Sequence, residues 1–185
     1  MADRMRRMMV TADLHYGNRP KADFCTRALA EFTCARKADA LAVVGDIGER
    51  DPETFAACLE LFADFEGPRL LVPGNHDVWR NGAGSREKYQ ELLPRLAQEA
   101  GFHMLDDEPR MIGDTGFVGN IGWYDYSMRN TELDLTLEQY AGKRVRGLAT
   151  WNDLRFVDWP RSDEEFTDIC LERLQAHYEE VAART

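Results

Sequence analysis

Three short groups of polar residues in this sequence carry side chains of the types that can bind divalent cations or transfer protons. They are Asp13 with His15, then Asp46, and then the run 75–77, which reads Asn-His-Asp. Carboxylate, imidazole and amide groups offer oxygen and nitrogen ligands without a thiolate, which suits a borderline ion such as manganese, iron or zinc. Because Asp46 lies between the other two groups in the chain, it is the natural bridge between two ions.

Each polar group directly follows a short apolar run. The apolar runs are 8–12, 40–44 and 70–72, and the third is followed by a Pro-Gly turn. They predict strands at about 5–12, 40–45 and 69–73. Short apolar runs bounded by turn residues predict buried strands, and helical patterns between them predict a parallel sheet with right-handed crossovers. Ligands bind at the carboxyl edge of such sheets. We therefore expect the three groups to meet at one edge.

Taken singly, these motifs differ in how specific they are. Asp13 and His15 alternate with one residue between them, so in an extended segment they would point the same way and grip one cation. That pattern, and the Gly-Asp pair at 45–46, also fit solvated turn residues. The run 75–77 is more specific, because a tight turn has little reason to collect three such side chains. The coincidence of all three groups favours a metal site.

Helical patterns lie between and after the predicted strands. We expect a helix from Pro20 to about residue 37, with apolar spacing of Phe24, Ala28, Leu29 and Phe32. Asp51 and Pro52 begin a second helix, which runs to about residue 65.

The second half of the chain is less regular. A helix from Ser85 to about residue 100 is bent or split by Pro94, and residues 102–105 form a short strand. Residues 111–112 and 115–121 predict a hairpin that makes the sheet mixed. Ser162 begins a last amphipathic helix, which runs to about residue 183.

The segment 122–162 has poor periodicity and many aromatic residues. A segment of this length inside a domain is typical of a lid, a binding surface or a region stabilised by something else. The alternative, which we favour, is that its aromatic side chains pack the insertion onto the body of the protein.

Composition limits the class of protein. The chain has 185 residues, which suits one domain over 1–185, and its net charge of −10 argues against nucleic acid as a partner. The four cysteines form no C-x-x-C pair and lie in helical patterns, so we expect buried, reduced thiols. With no signal peptide and no apolar span, the expected location is the cytoplasm, without membrane association.

Together the motifs resemble those of a known family. Asp13-x-His15, Gly45-Asp46 and Gly74-Asn75-His76-Asp77, in this order, closely resemble the calcineurin-like metallophosphoesterases, and the stretches 116–126 and 151–156 look like a bacterial branch of that family. The fold that the resemblance implies is α/β, an αββα sandwich with mixed sheets.

The resemblance also implies roles for single residues. Asp13 and His15 would bind one divalent ion, Asp46 would bridge two ions, and Asn75 would bind the second. His76 would act on the leaving-group oxygen, and the neighbouring residue, Asp77, would orient it. A hydroxide between the two ions would attack phosphorus in line.

The sequence also departs from the family pattern. The family normally supplies further histidine ligands from its C-terminal half, but the remaining histidines, His103 and His177, lack that context. The chain therefore looks like the N-terminal two-thirds of such an enzyme, incomplete at its C-terminus. We expect weak metal retention, and either self-association or a complementing C-terminal segment. Glu49 stands where many relatives have Asp, which makes its supporting role doubtful.

Two functions of different classes follow. The first is a dinuclear metal-dependent phosphoesterase acting on a phosphorylated small molecule or a phosphoprotein. The second is a catalytically impaired or non-catalytic protein-binding scaffold on the same fold. A nuclease of the same family is a third possibility, and the acidic charge argues against it.

Overall fold

A computed structural model describes residues 5–145 and 149–184, with the side chain of residue 149 left out. A parallel sheet of four strands forms its centre, in the order β1-β2-β3-β4. The strands are β1 (Met8–Ala12), β2 (Ala40–Val44), β3 (Arg69–Val72) and β4 (His103–Met104). The α/β class and the parallel βαβαβ order predicted from the sequence are confirmed.

The register of the sheet aligns the ends of its first three strands. Ala12 pairs with Val44, and Val44 pairs with Val72, all in parallel. Each is the last residue of its strand, so the polar groups that follow begin at the same height along the sheet. This alignment brings residues 13, 46 and 75 to one edge although up to 62 positions separate them in sequence.

Two helices connect the first three strands. They are α1 (Pro20–Cys34) and α2 (Pro52–Glu60). Both have proline in the first turn, where the missing N–H costs nothing, and the Asp51 side chain caps α2 by accepting from the Glu53 amide.

The orientation of α1 corrects one expectation. Phe24, Leu29 and Phe32 were expected on its apolar face, but Phe24 is 73% exposed and Phe32 is 49% exposed. Its buried residues are Thr26, Ala30 and Thr33. Their small side chains allow close packing of the helix, which places the larger apolar residues outside.

A segmented helical region follows the third strand. It comprises α3 (Asn75–Val78), α4 (Ser85–Glu87), a π-helical stretch (Lys88–Leu92) and α5 (Leu93–Glu99). Pro94 lies at the start of α5, where it needs no N–H partner, so the predicted split takes the form of a π-helical stretch before the proline.

The remaining elements surround the sheet. They are β5 (Arg110–Ile112), β6 (Thr115–Phe117), a 3₁₀ turn (Thr131–Leu133), α6 (Leu137–Ala141), β7 (Arg144–Val145), β8 (Ala149–Thr150), α7 (Asp153–Phe156) and α8 (Asp163–Ala182). In the described chain the hairpin β5-β6 forms its own two-stranded sheet, so it does not make the central sheet mixed as expected. The predicted last helix is confirmed, with a Ser162 capping box.

The core lies between the sheet and its helices. Fully buried side chains there include Leu41, Val43, Phe55, Phe62 and Leu71. No described helix has both the length and the apolar character that crossing a bilayer requires.

The cysteines are all free, but not all are buried. Cys58 and Cys170 are buried as expected, whereas Cys34 is half-buried and Cys25 is exposed. The expectation of four buried thiols is therefore wrong for Cys25, which lies on the outward side of α1.

Candidate metal centre

The loop after β1 is fixed to the loop after β2 by backbone hydrogen bonds. The Asp13 amide donates to the Gly45 carbonyl (3.1 Å), and the His15 amide donates to the Asp46 carbonyl (2.9 Å). Asp13, His15 and Asp46 all have positive φ angles of 44° to 53°, so the segment 13–15 is not extended as the alternation argument assumed. Their ligand atoms nonetheless lie within 4.8 Å of one another, because the two loops pair.

Gly74 allows the third loop to approach Asp46. A Cβ atom at Gly74 would lie 2.2 Å from both the Asp46 amide nitrogen and Asp46 Oδ1. This distance is too short for any side chain, so only glycine fits at this position. With that space open, the His76 amide donates to Asp46 Oδ1 (3.0 Å). The backbone of the third loop therefore holds the Asp46 carboxylate in place.

Two histidines meet at Glu49. His15 Nδ1 lies 3.2 Å from Glu49 Oε1, and His76 Nδ1 lies 3.2 Å from Glu49 Oε2. Because a carboxylate only accepts hydrogen bonds, both rings carry their proton on Nδ1, and Nε2 is left to act as a ligand or acceptor. His15 Nε2 accordingly faces Asp46 Oδ2 at 3.6 Å. The doubt about Glu49 is resolved, since this side chain fixes the orientation of both rings.

The His76 ring is held on a second side by an aromatic contact. It stacks on Trp79 with ring centroids 3.6 Å apart and an interplanar angle of 28°. The Trp79 carbonyl accepts from the buried Lys88 Nζ (2.5 Å), which also donates to the Arg50 carbonyl. Lys88 therefore connects Trp79, which stacks on His76, to the loop that carries Glu49.

Asp77 has a different role from the one expected. Its buried carboxylate accepts from the backbone amides of Gly74 (2.8 Å), Gly48 (2.9 Å) and Ile47 (3.1 Å). Burial raises the pKa of Asp77 to about 7, although these three amides act in the opposite direction. The expectation that Asp77 orients His76 is wrong, because adjacent side chains on a helix do not face each other. Asp77 instead ties two loops together.

Asp153 is a residue that motif reasoning gave no role. Its buried carboxylate accepts from Asn75 Nδ2 (2.9 Å), Trp79 Nε1 (2.5 Å), Trp151 Nε1 (2.7 Å) and the Tyr124 hydroxyl (3.1 Å). Because Asn75 uses its amide nitrogen here, its amide oxygen is the atom left to ligate a cation. The only sequence signal was the stretch Trp151-Asn152-Asp153, whose partners lie far away in the chain.

Burial and the Asp153 carboxylate both raise the pKa of Tyr124. Burial, followed by the nearby charge of Asp153, raises the pKa of Tyr124 well above its ordinary value. The hydroxyl therefore stays protonated and donates to the carboxylate. This contact joins the aromatic segment to the sheet edge.

The aromatic segment both packs and lines a cavity. Trp123 and Trp159 pack against Phe166 of α8, with ring centroids 5.6 Å and 4.1 Å from it. Tyr124 and Trp151 instead line a cavity of about 540 Å³ that Asp46 and Asn75 also line. The favoured expectation of simple packing therefore describes only part of the segment.

The donor set fits a divalent cation. Asp13, His15 and Asp46 form one oxygen- and nitrogen-donor triad, and His15, Glu49 and His76 form a second that shares His15. The first triad, together with the Asn75 amide oxygen, is the predicted ligand set, and it matches the preference of borderline ions for carboxylate and imidazole. In the second triad both ring Nδ1 atoms already contact Glu49.

The other two histidines lie outside this centre. His103 Nε2 contacts the Glu108 carbonyl (2.8 Å), and its strand, β4, is the edge strand of the sheet farthest from β1. His177 lies in α8, where its Nδ1 is buried without a partner. The described part of the chain therefore brings no third histidine to the centre.

Comparisons with known proteins agree with this architecture. The chain is similar to phosphopantetheinyl hydrolase from Mycobacterium tuberculosis, whose crystal structure superposes with a TM-score of 0.68 at 19% sequence identity. The match covers 95% of this chain and 64% of that one, so this chain spans less than two thirds of that protein's length. No curated protein is significantly similar in sequence. A model of the calcineurin-like phosphoesterases matches residues 6–182, and the chain belongs to that family.

Proposed function

We propose that this protein hydrolyses a phosphate mono- or diester with the help of two divalent metal ions. The observation that carries the proposal is the convergence of Asp13, His15 and Asp46, with ligand atoms within 4.8 Å, beside a cavity that Asn75 also lines. Membership of the calcineurin-like phosphoesterase family supports phosphoester chemistry.

The residues divide the work as follows. Asp13, His15, Asp46 and the Asn75 amide oxygen would hold the ions, which when bound lower the pKa of a water molecule and neutralise phosphoryl charge. His76 holds its Nδ1 proton against Glu49, so Nε2 is the atom placed to exchange a proton with the leaving-group oxygen.

The expected partner is a phosphorylated small molecule or a phosphoprotein. The fold neighbour is a phosphopantetheinyl hydrolase, so a phosphopantetheinyl ester is a reasonable substrate to include in a panel. The acidic net charge of −10 argues against nucleic acid.

The test is release of phosphate or alcohol from mono- and diesters with and without manganese. Wild-type protein should require the metal, and Asp46→Asn and His76→Ala should each lower the rate at least a hundredfold while remaining folded. Arg95→Gln is the matched control, because Arg95 only pairs with Glu99 on the exposed side of α5. Wild-type rates in both site variants would refute the proposal.

A non-catalytic scaffold is the second candidate. The observation that favours it is that His103 and His177 lie away from the centre, which leaves fewer histidine ligands than the family normally supplies. Titration of the purified chain with Mn²⁺ separates the two functions, because an enzyme that retains the ion weakly still binds it, whereas a scaffold has no need to bind it.

A further inference from the structure

A second cavity lies beside the candidate metal centre. It has a volume of about 410 Å³, within the range of small-molecule sites. Its wall is almost wholly apolar and is formed mainly by Tyr124, Tyr126, Leu133, Leu135, Tyr140 and Trp151. Transfer of an apolar group from water into a cavity of this size and character is favourable in free energy.

The two cavities share a wall. Tyr124 and Trp151 line both of them. The polar atoms of these two side chains are used at Asp153, by the Tyr124 hydroxyl and Trp151 Nε1. The rings therefore present carbon to the second cavity, while the first cavity keeps the carboxylate and amide groups of the metal centre.

Two cationic side chains, Lys143 and Arg144, line the second cavity, and Lys143 is already paired. Lys143 Nζ lies 2.6 Å from Asp163 Oδ2 and also lies over the Tyr124 ring, 5.2 Å from its centroid. Arg144 at the rim is exposed to solvent. Among the residues that the structure describes, the cavity thus offers no unpaired buried charge to an anion, and phosphate recognition is left to the metal centre.

We propose that the second cavity binds the apolar leaving group of the phosphoester. The substrate class is then a mono- or diester of an alcohol with an aliphatic or aromatic body. Water adds across the P–O ester bond: its oxygen bonds to phosphorus, and its proton passes to the departing alkoxide, which leaves as the alcohol. This inference rests on the proposed phosphoesterase function.

The catalytic test uses linear alkyl phosphates from ethyl to octyl, whose alcohols are nearly equal in acidity. With manganese, kcat/KM should rise about fourfold per methylene until the cavity is full, which corresponds to the transfer of one methylene from water. Leu135→Ser should flatten this dependence, because it lowers kcat/KM for octyl phosphate much more than for ethyl phosphate. Leu137→Ser is the matched control, because Leu137 is exposed and lies in the same segment outside the cavity wall.

A binding experiment separates this inference from the proposed function. Ethylphosphonate and octylphosphonate are titrated against the metal-free chain, with tryptophan fluorescence as the signal. Octylphosphonate should bind at least tenfold more tightly to wild type and lose that advantage in Leu135→Ser. If no ester is hydrolysed, the proposed function is refuted, and the difference in binding between the two phosphonates still shows whether the second cavity binds an apolar chain. Equal binding of both phosphonates, or hydrolysis independent of chain length, would overturn the inference.

Discussion

Replacing Asp153 with alanine should weaken metal binding, although Asp153 is not one of the predicted metal ligands and lies far from them in sequence. The carboxylate holds the Asn75 amide nitrogen at 2.9 Å, so its removal frees the amide to rotate and to present nitrogen instead of oxygen to the ion. Loss of a partner that orients a metal ligand typically lowers metal affinity about 10- to 100-fold. We expect a loss in this range for manganese.

The same substitution should also destabilise the fold. Trp79 Nε1 is buried and would lose its acceptor, at a cost of about 1–3 kcal/mol. Trp151 is 59% exposed and Tyr124 is half-buried, so both can turn to water at smaller cost. A total of about 2–4 kcal/mol follows, which in a chain of this size lowers Tm by roughly 4–16 °C.

A second buried carboxylate provides the matched control. Asp163 accepts from Trp123 Nε1 and the Tyr126 hydroxyl and pairs with Lys143, so it resembles Asp153 in its partners but does not contact Asn75. Asp163→Ala should lower Tm similarly and leave manganese affinity unchanged.

Calorimetric titration of the folded, metal-free proteins with Mn²⁺ and thermal unfolding by circular dichroism measure the two effects. Asp153→Leu serves if the alanine variant does not fold, because leucine is similar in size to aspartate and cannot accept from Asn75 Nδ2. Wild-type manganese affinity in a folded Asp153 variant, or an equal loss in the Asp163 variant, would refute the positioning role.

Three further predictions follow from other contacts. Gly74→Ala places a Cβ atom 2.2 Å from Asp46 Oδ1 and should cost about 1–3 kcal/mol in unfolding free energy, together with at least a tenfold loss of manganese affinity. Burial raises the pKa of Asp106 to about 6 from an ordinary 3.8, so between these pH values the folded chain keeps a proton on Asp106 that the unfolded chain has lost. The contribution of Asp106 to the free energy of unfolding therefore falls as pH rises from about 4 to 6. Asp106→Asn should remove this pH dependence from urea unfolding curves. The exposed Phe24 and Phe32 on α1 favour self-association, which their double replacement by lysine should reduce in sedimentation experiments.

Each of these predictions has a control or a contradicting result. Gly84→Ala has ordinary φ and an open neighbourhood, with its nearest contact at 3.6 Å, so it should leave manganese affinity unchanged. Identical pH dependence of wild type and Asp106→Asn between pH 4 and 6 would contradict the Asp106 prediction. A wild-type chain that stays monomeric at high concentration would contradict the self-association prediction.

The sheet edge could be predicted because its cause is local and general. Short apolar runs ending in turn residues predict parallel strands, and parallel strands of equal register release their next residues at one edge. This reasoning was sufficient to bring Asp13, His15 and Asp46 together. The loop backbone was not predicted correctly, because segment 13–15 was expected to be extended, whereas the backbone is left-handed at Asp13, His15 and Asp46.

Other contacts could not be predicted from spacing. The contact between Asn75 and Asp153 joins positions 78 residues apart and depends on how the aromatic segment folds back on the sheet. The family resemblance implied that Asp77 orients the His76 ring, whereas the helix turns the Asp77 side chain toward the amides of residues 47 and 48. Likewise, apolar spacing in α1 could not distinguish its packed face from its exposed face.

The left-handed backbone at Asp13, His15 and Asp46 affects the choice of substitutions. Asparagine adopts positive φ several-fold more readily than most residues, whereas alanine pays the usual steric penalty of about 1–2 kcal/mol. Asp13→Asn and Asp46→Asn thus delete a negative charge and leave the local chain path undisturbed, while the alanine versions mix two effects. A chain with both asparagines should keep the fold of the metal-free wild type, so a loss of manganese affinity in it reports the missing carboxylate ligands alone.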